Sequence, residues 1–147
     1  MTIDKAVADE RIQEGWLRAW LGFSALAADE EIAKAALVEL VDKLEKEDNV
    51  KLYKKDFGDF VKHEKPLPNI DVGWSGTAEV EFAVKDFDTL LHIVMHYGPS
   101  AAEILEPSKL TLNVGQAQRI LNSVAMMMHQ FAAAGLGGIV FVRGKEK

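Results

Sequence analysis

The stretch Thr77–Gly144, TAEVEFAVKDFDTLLHIVMHYGPSAAEILEPSKLTLNVGQAQRILNSVAMMMHQFAAAGLGGIVFVRG, decides the fold. Ala78, Val80, Phe82 and Val84 alternate with Thr77, Glu79 and Glu81. That is the period-two pattern of a strand with one buried face. Asp86–Tyr97 then carries Phe87, Leu90, Leu91 and Val94 along one side of a helix, with Asp86 and Asp88 at its start and Gly98-Pro99 at its end. Ala101–Leu105 and Lys109–Leu112 flank Glu106-Pro107-Ser108, where proline predicts a turn between two short strands. Asn113 and Gln116 have the spacing of a capping box. Beyond them Ala117, Ile120, Leu121, Val124, Met127, Met128 and Phe131 repeat at three and four residues, which predicts the main core helix. After Gly135-Leu136-Gly137-Gly138, the run Ile139–Val142 has the wholly apolar composition of a central or interface strand. The predicted order is β-α-β-β-α-β.

Upstream, Ile12, Trp16, Trp20, Phe23 and Leu26 fall at helical intervals, so Ile3–Ala27 is expected to be a helix, against the cost of Gly15 and Gly22 in its interior. Asp29 can cap a second helix, Glu30–Glu47, with Ile32, Ala36, Leu40 and Leu44 on its buried side. The two form an expected antiparallel helical hairpin over residues 1–48. Val50–Lys55 and Phe60–Lys65 read as strands of a β-hairpin around Phe57-Gly58-Asp59. Pro66–Gly76, with two prolines and two glycines, reads as an ordered loop within residues 49–76.

A chain of 147 residues, 48% apolar and 27% charged, suits one domain with a sizeable core and is too hydrophobic for disorder. No apolar run reaches the roughly 20 residues that cross a bilayer, and MTIDKAVADER lacks the pattern of a secretory signal. A cytoplasmic protein without membrane association is expected. The lack of cysteine removes disulfides and thiolate ligands and suits a reducing compartment. A net charge of −6 argues against nucleic acid, because Lys51, Lys54, Lys55, Lys62 and Lys65 are interleaved with Asp56, Asp59 and Glu64.

Candidate chemistry is sparse. His92 and His96 lie four apart and share a helix face, as helical zinc ligands do, with Glu103, Glu106 or His129 as the third ligand. The bland reading is that both line a helix surface. Glu103 and Glu106 form a candidate carboxylate pair, against the simpler reading of a solvated strand edge. Asp56-Phe57-Gly58 copies a magnesium-holding tripeptide of kinases without the other kinase motifs, and Gly135–Gly138 follows a helix instead of opening one. Trp16, Trp20, Ile139 and Phe141 mark a candidate interface, since tryptophans on a helix and a wholly apolar strand offer more apolar surface than one sheet face covers.

YGPSAAEILEPSKL, Tyr97–Leu110, resembles part of the C-terminal extension of WYL-domain transcriptional regulators, in the Gly98-Pro99 step and the Leu105-Glu106-Pro107 turn. The resemblance covers at most residues 77–144 and implies a ferredoxin-like, ligand-sensing or self-associating module. The chain has no Trp-Tyr-Leu tripeptide and no recognisable DNA-reading helix-turn-helix.

The sequence thus predicts an α+β domain: a helical hairpin, an extra β-hairpin and a ferredoxin-like unit over 77–144. The expected function is binding or assembly, with self-association and a possible small-molecule ligand, and no cofactor. The alternative is a small enzyme using a divalent metal at His92, His96 and Glu103, or a carboxylate pair.

Overall fold

Leu17–Ala27 is a strand, β1, and this overturns the expected N-terminal helical hairpin. In LRAWLGFSALA the residues Leu17, Ala19, Leu21 and Phe23 are buried, while their neighbours Arg18, Trp20 and Ser24 face the other side. The same residues satisfy a period of two and, through Trp16, Trp20 and Phe23, a period near 3.6. Pairing on both edges decides for the strand. Among the described residues of that stretch only Lys5–Gln13 is helical (α1), capped by Asp4, and Gly15 at φ 104 turns the chain out of it.

The computed structural model describes residues 4–134. Its further elements are α2 (Glu30–Glu45), β2 (Val50–Phe57), β3 (Val61–Leu67), β4 (Ile70–Val84), α3 (Phe87–Tyr97), β5 (Ala101–Glu106) and α4 (Val114–Ala133). The fold class is α+β. The chain divides into two units at Leu110/Thr111.

In the first unit every pairing of the five-stranded sheet is antiparallel, and its main path runs β2-β4-β1-β5. β1 pairs with β4 from Leu17↔Val84 to Ala27↔Trp74, and with β5 from Arg18↔Glu106 to Gly22↔Ala101. Against β4, β2 runs from Val50↔Val84 to Phe57↔Ala78 and β3 from Val61↔Ser75 to Leu67↔Ile70. Since β1 occupies one edge of β4, β2 and β3 follow one another along the other. The expected β2–β3 hairpin is therefore one interrupted strand, broken at Gly58–Phe60, where the Gly58 amide donates to the Thr77 carbonyl at 2.9 Å.

The reversal comes at Pro68-Asn69, so most of the expected loop Pro66–Gly76 is the first half of β4. Once the turn is placed there, Val72 and Trp74 continue the alternation of Ala78–Val84. Each of α2 and α3 then connects two strands that flank a third: α2 links β1 to β2 across β4, and α3 links β4 to β5 across β1. The β-α-β-β-α-β order thus runs through Leu17–Glu106, and not through 77–144.

α2 and α3 lie on one sheet face. Leu37, Val41 and Leu44 of α2 and Leu90 and Ile93 of α3 join Leu21, Phe23, Leu52, Val80 and Phe82 in one buried cluster. Each such side chain contributes about 1.5–3 kcal/mol of burial. Asp29 and Asp86 cap the two helices, and Gly98 at φ 62 closes α3.

The second unit contains α4, opened by the capping box between Asn113 and Gln116. The sequence spacing marks α4 as the main core helix, yet Leu121, Val124, Met128 and Phe131 are exposed. Amphipathic spacing identifies an apolar face and not what covers it. No strand forms at Lys109–Leu112, which follows Pro107, a residue with no amide hydrogen for a ladder. The expected closing strand Ile139–Val142 lies outside the described residues.

Candidate functional site

The sheet face opposite α2 and α3 carries the polar residues. Alternation places Arg18 and Trp20 of β1 there, beside Glu79 and Glu81 of β4. The register shift between Leu52 and Lys54 leaves Tyr53 unpaired against β4, and its hydroxyl joins the same face. Glu106 arrives by pairing with Arg18, and α1 contributes Asp9.

Arg18 is the centre of this cluster. Its Nε donates to Glu106 Oε2 at 2.5 Å, Nη1 to the Tyr53 hydroxyl at 2.9 Å and Nη2 to Asp9 Oδ1 at 2.5 Å. The guanidinium also lies 5.3 Å from the centroid of the Tyr53 ring. Tyr53 in turn donates to Glu81 Oε1 at 2.7 Å, and Lys54 Nζ approaches Glu81 Oε2 at 3.6 Å. Burial opposes the Arg18 charge, but the hydrogen bonds to Tyr53, Asp9 and Glu106 outweigh it and raise its pKa. Burial also raises the Tyr53 pKa; the Arg18 hydrogen bond works against that rise and Glu81 adds to it. Chemically the cluster is a clamp. It ties α1, β1, β2, β4 and β5 together, with the Arg18 fork already engaged by three acceptors.

Trp20 donates from Nε1 to Glu79 Oε1 at 3.0 Å, and its ring covers Gly22. The cleft among Trp20, Lys54, Asp56, Glu79 and Glu81 measures about 20 Å³. That is room for about one water.

A larger cavity of about 270 Å³ lies on the helix side. Phe87, Leu90, Leu91 and Val94 of α3 form one wall, and Ala102 and Ile104, with Glu103 between them, form the other. α3 seats Leu90 and Ile93 in the core while Leu91 and Val94 stay half-buried beside β5.

His92 and His96 do share a face of α3, with ring centroids 6.0 Å apart and planes inclined by 14°. His96 Nδ1 lies 2.8 Å from the His92 carbonyl oxygen, and His92 Nε2 lies 3.8 Å from Asp88 Oδ1. Glu103 is not brought to them. It pairs opposite Trp20, so its side chain projects to the sheet face away from α3, while Glu106 is held by Arg18. His129 lies on α4, in the other unit. Among the described residues no group of three or more His, Asp or Glu side chains converges on a metal position.

Of the expected interface residues, Trp16 is half-buried under the Arg11 guanidinium, 5.7 Å from its ring centroid, and Trp20 lies on the polar sheet face. Ile139 and Phe141 lie outside the described residues. The sequence reading missed Arg18, Tyr53, Asp9 and Glu81. The alternation in Leu17–Phe23 is the signal that could have found Arg18.

α4 presents the other feature of note. Leu121, Val124, Met128 and Phe131, spaced three, four and three residues apart, are all exposed; Val114 at the helix start is exposed as well, as is Met126 on the opposite side of the helix. In twenty residues the helix has only Arg119 and His129 as ionisable side chains.

The model of the MJ0538 family matches residues 18–145, from the second residue of β1 onward. No curated protein and no solved structure matches the chain.

Proposed function

The chain belongs to the MJ0538 family, and we propose that it is a binding and assembly protein that self-associates through α4. The observation that carries this reading is the exposed stripe Leu121, Val124, Met128 and Phe131. Its three-four-three spacing is that of a helix seam. Contiguous exposed apolar surface marks interaction sites.

The partner that fits best is a second copy. With Arg119 and His129 as its only ionisable side chains, α4 offers little for a strongly charged partner to pair with. An apolar stripe is complementary to itself, and a two-fold contact needs only that one surface. The capping box at Asn113 and Gln116 fixes the start of the helix, so the stripe is presented on an ordered element. The order β2-β4-β1-β5, with each crossover helix spanning an intervening strand, supports reading the first unit as ferredoxin-like.

The absence of cysteine provides a clean test. A single thiol in Val124→Cys should cross-link two chains on mild oxidation, and one in Asn122→Cys, exposed but off the stripe, should not. Equal cross-linking at both positions, or none at Val124→Cys, counts against the proposal.

A further inference from the structure

We propose that β5 and α3 form a docking groove for an extended peptide segment of apolar–basic–apolar pattern, which adds to the sheet as a strand beside β5. This goes beyond self-association and does not involve α4. The first observation is the edge. β5 ends the strand order, and among the described residues no strand pairs with its outer side. A row of backbone donors and acceptors is thereby presented to an incoming chain.

The second observation is the cavity beside that edge. Ala102 and Ile104 face α3, and with Phe87, Leu91 and Val94 they line about 270 Å³ of apolar space. That volume suits one or two apolar side chains; a whole helix, roughly 10 Å across, would not enter it. An added strand delivers such side chains at alternate positions, in step with Ala102 and Ile104.

Charge selects the residue between them. Glu103 projects to the opposite face, is exposed, and has no ion-pair partner among the described residues. The residue of the added strand opposite Glu103 lies on that same face, where a lysine or arginine pairs with it and an acid is repelled. A small apolar molecule would fill the cavity but use neither the edge nor Glu103.

The test uses two blocked pentapeptides, Thr-Val-Lys-Val-Thr and Thr-Val-Glu-Val-Thr, titrated into the full chain with amide chemical shifts as the readout. The lysine peptide is expected to shift the 101–106 amides and to bind roughly tenfold tighter than the glutamate peptide, since reversing one cross-strand charge changes attraction into repulsion. The surface substitution Glu103→Lys, which leaves the core untouched, should reverse that order. Val94→Trp, which fills the groove, should abolish binding of both while leaving the far-ultraviolet spectrum unchanged. Several results overturn the proposal: peptides that leave 101–106 unshifted, binding indifferent to residue 103, or a groove that responds to the neutral fluorophore N-phenyl-1-naphthylamine but to neither peptide. Self-association of the same samples, read separately by sedimentation, leaves these outcomes unaffected.

Discussion

The ring of Trp20 lies over Gly22, two residues along the same strand, so closely that a Cβ at Gly22 would stand 2.9 Å from Trp20 Cη2. The pair shows why β1 carries glycine in its interior, where the residue otherwise weakens a strand. It clears the surface on which the indole rests while Nε1 reaches Glu79 at 3.0 Å.

Gly22→Ala is therefore expected to destabilise the chain by about 1 kcal/mol, because the added methyl must displace the half-exposed ring and its hydrogen bond to Glu79, a cost that the better strand propensity of alanine partly offsets. In the Trp20→Ala background the same change should be neutral or stabilising, since alanine suits a strand better than glycine. Urea unfolding of the four proteins checks the coupling. Equal effects of Gly22→Ala in both backgrounds would remove the ring from the explanation.

Arg18 carries a second prediction. Arg18→Met keeps the stem and removes the fork that binds Glu106, Tyr53 and Asp9. Asp9 and Glu106 are about half exposed and regain water, so the loss should be about 2 kcal/mol and not the sum of three charged hydrogen bonds. Arg18→Lys should recover only part of it, because one ammonium group cannot reproduce the three-way fork. Denaturant midpoints of the three proteins decide the matter.

The two tyrosines give a pH dependence. Burial raises the Tyr97 pKa, and its hydrogen bond to Glu47 Oε2 at 2.6 Å raises it further. The Tyr53 pKa is also raised, by burial first. A raised folded pKa means that the stabilising contribution is complete below the unfolded value of about 10, and is lost as pH rises through the folded value. Tyrosinate absorbance should thus appear above the ordinary tyrosine range, and stability should fall there. Tyr97→Phe should make the alkaline decline shallower; an ordinary tyrosine titration in the folded protein would refute the assignment.

Local signals made the extents of α2 and α3, the second half of β4 and the start of α4 legible in the sequence, but the buried side of α2 is Ala33, Leu37, Val41 and Leu44, while Ile32 and Ala36 of the expected buried side are exposed. Asp29, Asp86 and Asn113 cap the helices they were expected to cap, and Gly98 ends α3 in the left-handed conformation. β1 looks helical in the sequence because Trp16, Trp20 and Phe23 mimic a helical stripe, and only pairing with β4 and β5 separates the two periods. The first half of β4 was hidden by Pro66, Pro68, Gly73 and Gly76. Gly76 turns out to lie under the Phe60 ring, a close approach that sequence cannot show. The Arg18 cluster rests on direct bonds between residues up to 88 positions apart, so it exists only through the topology. The residue types at His92, His96 and Glu103 looked like ligands, but register places Glu103 on the opposite side of the sheet from α3.

Self-association through α4 makes the sedimentation of the chain depend on its concentration, so sedimentation velocity is measured across a wide dilution series. The wild-type chain is predicted to show a species of twice the chain mass whose fraction falls on dilution. The double variant Leu121→Asp with Val124→Asp should sediment as a single chain with an unchanged far-ultraviolet spectrum. Both substitutions fall on exposed positions, so the fold has no reason to fail. A wild-type protein that remains a single chain from micromolar to near-millimolar concentration, or a double variant that associates as the wild type does, would rule out self-association through α4.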